Sequence, residues 1–324
     1  MPCTGKDFHG LTSRPRVDAL DVAIIRAMGI RPYERVAKPL GSLRPARLAR
    51  VTGASVNTVK ERIAAMTEAG VIAGYRAFPN LRHLGLAAEA HYLQFPSEEA
   101  KDAALPQVKS LHGILEVHDF IGPGLCADFS FRDEADRRAK LDLLTGLAHG
   151  VPLRTFYVRE MPPVKRGLTA LDWRVLGALR ADPRAGAADL AEAVGVSART
   201  VKRHLTRMAA EGSVFLVPVV DPSKVEGLFV FELLVYLHDG SGPRPMAALR
   251  AAFREEHVYA YVPASAELGH FDLLLFARNI AQVEKLRRRA ETVPGVARAE
   301  AWLFRAFLDL SAWLDDAVAE RTRE

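Results

Sequence analysis

One stretch of this chain is written twice. Residues 48–80 read LARVTGASVNTVKERIAAMTEAGVIAGYRAFPN, and residues 190–222 read LAEAVGVSARTVKRHLTRMAAEGSVFLVPVVDP. They superimpose without a gap at an offset of 142 residues: Gly53 falls on Gly195, Ser55 on Ser197, Thr58-Val59-Lys60 on Thr200-Val201-Lys202, Met66 on Met208 and Gly70 on Gly212. Solenoid repeats recur every ~20–50 residues, so a spacing this long points to a doubled domain pair. Any fold for the chain must accommodate the same local structure at both places.

The 324 residues exceed what one hydrophobic core supports, so several domains are expected. Two cysteines, Cys3 and Cys126, cannot build a disulfide framework or a thiolate metal site, and they fit a reducing compartment. The opening residues MPCTGKDFHG hold no apolar run, and no ~18-residue uncharged apolar segment follows. A cytoplasmic protein without a membrane partner is therefore expected. The charge alternates along the chain. Residues 14–82 carry a net +8, 83–164 a net −4, 165–224 a net +4 and 225–324 a net −3. Basic blocks attract polyphosphate and acidic blocks are repelled by it, and the basic blocks coincide with the repeated stretch.

The repeat extends on both sides. Ahead of it, LDVAIIRAMG places Leu20, Ile24, Ile25 and Met28 on one helical face, and LDWRVLGALR does the same with Leu171, Val175, Leu176 and Leu179. Asp18 or Asp21, and Thr169 or Asp172, stand where helix starts are capped. Nine extra residues follow in the first copy, with Pro32, Pro39 and Pro45 forbidding a continuous helix and Arg31, Arg35, Lys38 and Arg44 making the loop basic. Short helices are then expected at 45–52 and 187–194, and longer ones at 55–69 and 197–211, each ended by Gly70 or Gly212. Strands follow at 71–78 and 214–220. Beyond them each copy continues as β-α-β-β-α-β, a split βαβ unit. The expected boundaries are a flexible arm at 1–16, a first reader at 17–82, a first βαββαβ domain at 83–164, a second reader at 165–224, a second βαββαβ domain at 225–306 and a C-terminal helix from 307.

Two helices joined by a glycine turn are the layout of a helix-turn-helix. In the longer helix Val56, Val59, Ile63 and Met66, or Ala198, Val201, Leu205 and Met208, form the inward stripe. Ser55 and Ser197 cap its start. The remaining face should present Asn57, Thr58, Lys60, Glu61 and Arg62 in one copy, and Arg199, Thr200, Lys202, Arg203 and His204 in the other. Arginine and lysine suit guanine edges or phosphates, and asparagine suits adenine. Arg76 in the strand after the first helix pair adds a backbone contact, which the second copy lacks.

These stretches, LDVAIIRAMG, LARVTGASVNTVKERIAAMTEAGVIAGY and HLGL, with their second-copy counterparts, resemble the leucine-responsive/asparagine-type (Lrp/AsnC) family of prokaryotic transcription regulators. The resemblance implies an α+β fold of two winged helix-turn-helix domains alternating with two ferredoxin-like domains. It implies a regulator that binds double-stranded DNA, forms homo-oligomers and takes an amino-acid-like effector at a Gly-x-x-Asp turn. In this chain that turn is Gly269, His270 and Asp272, with Gly124 and Asp128 as its altered first copy. No cofactor, metal or catalytic residue is expected, and the chain is read as a non-enzyme. The alternatives are a metabolite sensor without DNA binding, against which the +8 block speaks, and an enzyme of the siroheme-decarboxylase kind, which resembles the same family in fused form. Its HNYxR and NLWF motifs are mostly absent, since Val117-His118-Asp119-Phe120 lacks the arginine. His118-Asp119 is expected at a solvent-exposed strand end.

Overall fold

The computed structural model describes residues 17–29, 43–159, 161–238, 244–254, 256–261 and 269–323. The N-terminal arm and nearly all of the proline-marked loop lie outside them. The first helical unit comprises α1 (Ala19–Met28), α2 (Pro45–Thr52) and α3 (Val56–Glu68), followed by strand β1 (Ile72–Pro79). Gly53 sits at φ +73° between α2 and α3, a left-handed conformation that glycine adopts without the Cβ penalty. Ser55 then caps α3 by accepting from Thr58 N–H at 3.0 Å.

The first sheet unit runs β2 (Ala87–Gln94), α4 (Glu98–Lys109), β3 (Ile114–Phe120), β4 (Gly124–Phe131), α5 (Glu134–Leu147) and β5 (Arg154–Val158). The second half repeats the element order. Its reader is α6 (Ala170–Ala181), α7 (Ala187–Val194), α8 (Ala198–Ala210) and β6 (Val214–Val220). Its sheet unit is β7 (Phe229–Leu237), α9 (Arg244–Ala252), β8 (His257–Tyr261), β9 (His270–Ala277), α10 (Ile280–Glu291) and β10 (Val296–Asp309), and α11 (Leu314–Arg323) ends the described chain. Among the described residues no helix is long and apolar enough to cross a membrane.

Alternation along the strands produces two layers. Leu93, Val117, Leu125 and Phe129 pack under the helices of the first unit, and Phe231, Leu233, Val235 and Leu273 do so in the second. Each such side chain contributes about 1.5–3 kcal/mol when fully buried. The opposite faces carry Tyr92, Phe120, Phe156, Leu234 and Leu274, which join one core with Val22, Ile25, Leu48, Val59 and Met66 of the first reader. The two sheet units therefore meet face to face, with their helices outside.

Two pairings tie the halves together. All eight strands of the sheet units form one sheet, ordered β5-β2-β4-β3-β10-β7-β9-β8. β10 bridges it: residues 296–303 pair with β7 and 304–309 pair with β3, all antiparallel. The expected C-terminal helix from Phe307 is thus corrected. Phe307 and Leu308 remain in strand because β3 offers an unpaired edge, and the helix begins only at Leu314. β1 and β6 form a separate two-stranded antiparallel sheet, Tyr75 opposite Pro218 and Phe78 opposite Phe215. The strands that follow the two helix pairs therefore pair with each other.

Candidate functional site

The reading faces follow from helix periodicity and from what each first helix offers. In α3, Val59 and Met66 are buried, while Asn57, Lys60 and Glu61 are exposed. In α8, Val201 and Met208 are buried, while Arg199, Lys202 and Arg203 are exposed. Lys60, Arg199, Lys202 and Arg203 make no ion pair among the described residues. Ser55 and Ser197 are exposed caps, and Thr58 and Thr200 are half-buried, their hydroxyls 2.8 and 2.9 Å from the cap oxygens.

Three residues expected on these faces are engaged elsewhere. Arg62 leans back onto α1, with Nη1 2.9 Å from Asp18 Oδ2 and 3.1 Å from Asp21 Oδ2. His204 is buried, with Nδ1 2.7 Å from Asp172 Oδ1, because Asp172 is sealed in the second reader and needs partners. Burial alone would raise the Asp172 carboxyl. Its bonds from His204, Thr169 and Arg207 outweigh that and hold it at about 2. Asp21, in the matching place of the first reader, is pushed up by burial. Arg76 does not project as a wing contact: it pairs with Asp309 and donates to Ser311 Oγ at 3.0 Å, so β10 neutralises it.

Of the residues expected to hold an effector, Gly124, Asp128 and Asp272 lie in the interior, while Gly269 is exposed and His270 half-buried. Gly124 begins β4, and a Cβ there would fall 2.5 Å from the Trp302 ring, so close packing accounts for it. Asp128 lies within β4, fully buried, accepting from the Tyr157 hydroxyl and from Arg159 Nε at 2.6 Å. Gly269 adopts φ +63°, and His270 Nε2 lies 2.6 Å from the carbonyl of Thr155 on β5. Asp272 lies within β9, fully buried, and accepts from Tyr92 Oη at 3.0 Å. Neither aspartate sits in an open turn. Each faces the sheet interior, where a carboxylate requires a neutralising partner.

Asp272 belongs to a cluster that spans both sheet units. Tyr92 Oη also lies 2.8 Å from Glu232 Oε2, so its single proton is shared between the two carboxyls, and Glu232 Oε1 lies 2.7 Å from His118 Nδ1. His118 Nε2 lies 3.7 Å from Glu116 Oε2, which also receives Arg159 Nη2 at 3.1 Å. Burial, with Glu232 beside it, raises the Asp272 carboxyl well above the usual range, and burial with Asp272 and Glu232 nearby raises Tyr92. His118 and Asp119 are therefore not at an exposed strand end. Asp119 is 2.9 Å from the buried Lys101 Nζ and 2.7 Å from Arg305 Nε. Glu232, Tyr92 and Arg159 were not singled out from sequence. A lone glutamate in the apolar run FVFELLVYL was the available signal.

Glu116 also borders a cavity of about 70 Å³ beneath the β1–β6 pair, walled by Val22, Val220, Leu274, Phe304 and Phe307, with Arg76 and Asp309 at its edge. The His118 ring is 5.2 Å from that of Phe307.

Residues 168–214 match the winged helix-turn-helix DNA-binding family. The match covers the second reader. No curated protein matches the chain by sequence. Over 94% of its length the chain is similar in structure to the siroheme decarboxylase NirDL in co-complex with an iron-uroporphyrin III analogue, with a TM-score of 0.54, 11% identity and 99% of that chain covered. Parts of the chain are also similar to the leucine response regulatory protein LrpA of Mycobacterium tuberculosis (23% identity, 42% of this chain and 91% of that one, TM-score 0.34) and to AsnC of E. coli (20%, 43% and 92%, TM-score 0.35). The NirDL likeness establishes the α+β architecture end to end. It also corrects the expectation of a non-enzyme, because a neighbour that matches this fold over 94% of the chain is an enzyme.

Proposed function

We propose that the chain is a DNA-binding transcription regulator whose two unlike readers engage one duplex from a single frame. One observation carries the reading. In the segment that matches a DNA-binding family, α8 presents Arg199, Lys202 and Arg203 to solvent, without ion-pair partners among the described residues. Such cations release counterions on meeting phosphate, and arginine also recognises guanine edges. The β1–β6 pairing joins the two readers directly, as a reading of half-sites in successive major grooves about 34–36 Å apart requires. The test is a mobility shift with the full chain at low salt. Retarded duplex that is released steeply as salt rises, and weakened by Arg199→Ala with Arg203→Ala, supports the reading. Absence of any retardation at ~50 mM salt contradicts it.

A second reading is enzymatic, decarboxylation of a siroheme-like tetrapyrrole. It is favoured by the His118 imidazole held between Glu232 and Glu116 beside a cavity, an arrangement able to move protons. The cavity of about 70 Å³ is smaller than the ~300–1,000 Å³ of ordinary ligand sites, so this reading requires it to open. Incubation with siroheme tests it. A changed absorption spectrum with carbon dioxide release, lost in His118→Ala, supports it; an unchanged spectrum sinks it.

A further inference from the structure

The two reading helices differ in chemistry at matched positions. We infer that α3 reads an A·T-rich half-site through Val56 and Asn57, while α8 reads a G·C-rich half-site through Arg199 and Arg203. This rests on the DNA-binding reading above and goes further by assigning base classes.

Val56 opens α3 and is 39% exposed, although valine gains by burial. A single exposed valine is ordinary. This one is the first residue of α3, left exposed at the end of the inward stripe it was expected to join and adjoining exposed Asn57, and Val51 at the end of α2 is 63% exposed. Among the described residues, α6, α7 and α8 contribute none of the large exposed apolar side chains. At the positions of Val51 and Val56 the second reader has Ala193 and Ala198. The apolar feature of the major groove is the thymine C5-methyl, and asparagine pairs bidentately with adenine N6 and N7. Valine beside asparagine thus presents both halves of an A·T contact.

The next matched pair sharpens the division. Glu61 can only accept, and the major-groove edge of guanine offers only the acceptors N7 and O6. Glu61 therefore disfavours guanine on the strand it faces and fits the A·T assignment through the amino group of adenine, whereas a contact to cytosine N4 would place a single G·C pair at that position. Arg203, at the same position of α8, can only donate, as can Arg199 opposite Asn57. Lys60 and Lys202 are identical and exposed in both helices, so they supply phosphate attraction without distinguishing the halves.

The experiment selects bound duplexes from a randomised library with the full chain. Enriched sequences should carry one A·T half and one half with guanine, centred about one helical turn apart. Replacing thymine by deoxyuridine in the A·T half removes only the methyl group. Wild-type affinity should fall several-fold, and Val56→Ala should be insensitive to the change. Asn57→Arg should move that half toward guanine by about 5- to 150-fold in relative affinity. Two halves of equal base composition, or Val56→Ala as sensitive to deoxyuridine as wild type, would overturn the assignment while leaving DNA binding intact. No enrichment and no retardation at low salt would overturn DNA binding itself, and the assignment with it.

Discussion

Asp128 and Asp272 occupy matching strands of the two sheet units, and both are fully buried, yet they are satisfied differently. Asp128 is held by Arg159 and the Tyr157 hydroxyl. Asp272 has a hydroxyl and a second carboxyl, Glu232, and no cation pairs with it among the described residues. The readers diverge in the opposite sense. In the second, Asp172 is gripped by His204, Thr169 and Arg207, and α11 packs Val318 into the reader's core. In the first, Asp21 has the partly exposed Arg62. The same element order therefore carries its charge compensation in the sheet unit of one half and in the reader of the other.

The largest effect should come from Arg159→Met, which leaves Asp128 as a buried carboxylate without its cation. The expected cost is about 3–5 kcal/mol, read as a lowered urea midpoint. Asp272→Asn should cost under about 1.5 kcal/mol, because its hydrogen bond from Tyr92 can persist. Equal losses would show that the two sites are not differently compensated.

The pH dependence separates them further. A carboxyl raised by burial keeps its proton in the folded state to higher pH than in the unfolded chain, where it titrates near ~4. Stability should fall as pH rises from ~4 toward the raised folded value, and Asp272→Asn should flatten that slope. Asp172 has the reverse sign. Its stabilisation is present above ~4 and is lost as pH falls through about 2. Trp173, buried on α6, reports that loss by fluorescence.

Effects smaller than that of Arg159→Met are expected in the readers at neutral pH. Asp172→Asn should cost about 1–3 kcal/mol by weakening bonds to charged partners. Asp21→Asn should cost under about 1 kcal/mol, because Arg62 is 36% exposed and its ion pairs are screened by water. A larger loss at Asp21 would reverse the ranking of the two readers.

Most elements were legible because periodicity and capping are local. Ser55, Gly53 and the Val59–Met66 stripe mark α3 as plainly as their counterparts mark α8. The β1–β6 and β3–β10 pairings were not legible, since strand partners 135–193 residues apart leave no local trace. The same limit hid the buried cluster. His118 and Glu232 are ordinary charged residues until the sheets meet and remove water from both. Arg62, Arg76 and His204 looked available for the same reason: a periodic face identifies what points outward from a helix, and cannot identify an acidic neighbour supplied by another element.

The central claim is that two unlike reading helices on one frame engage separate halves of a single duplex. Hydroxyl-radical footprinting of the full chain on a selected duplex tests it directly. Asn57→Ala with Lys60→Ala should erase protection over one half-site, and Arg199→Ala with Arg203→Ala should erase it over the other. Protection that fades equally over both halves in each variant, or that is absent for the wild-type chain at low salt, would contradict the account.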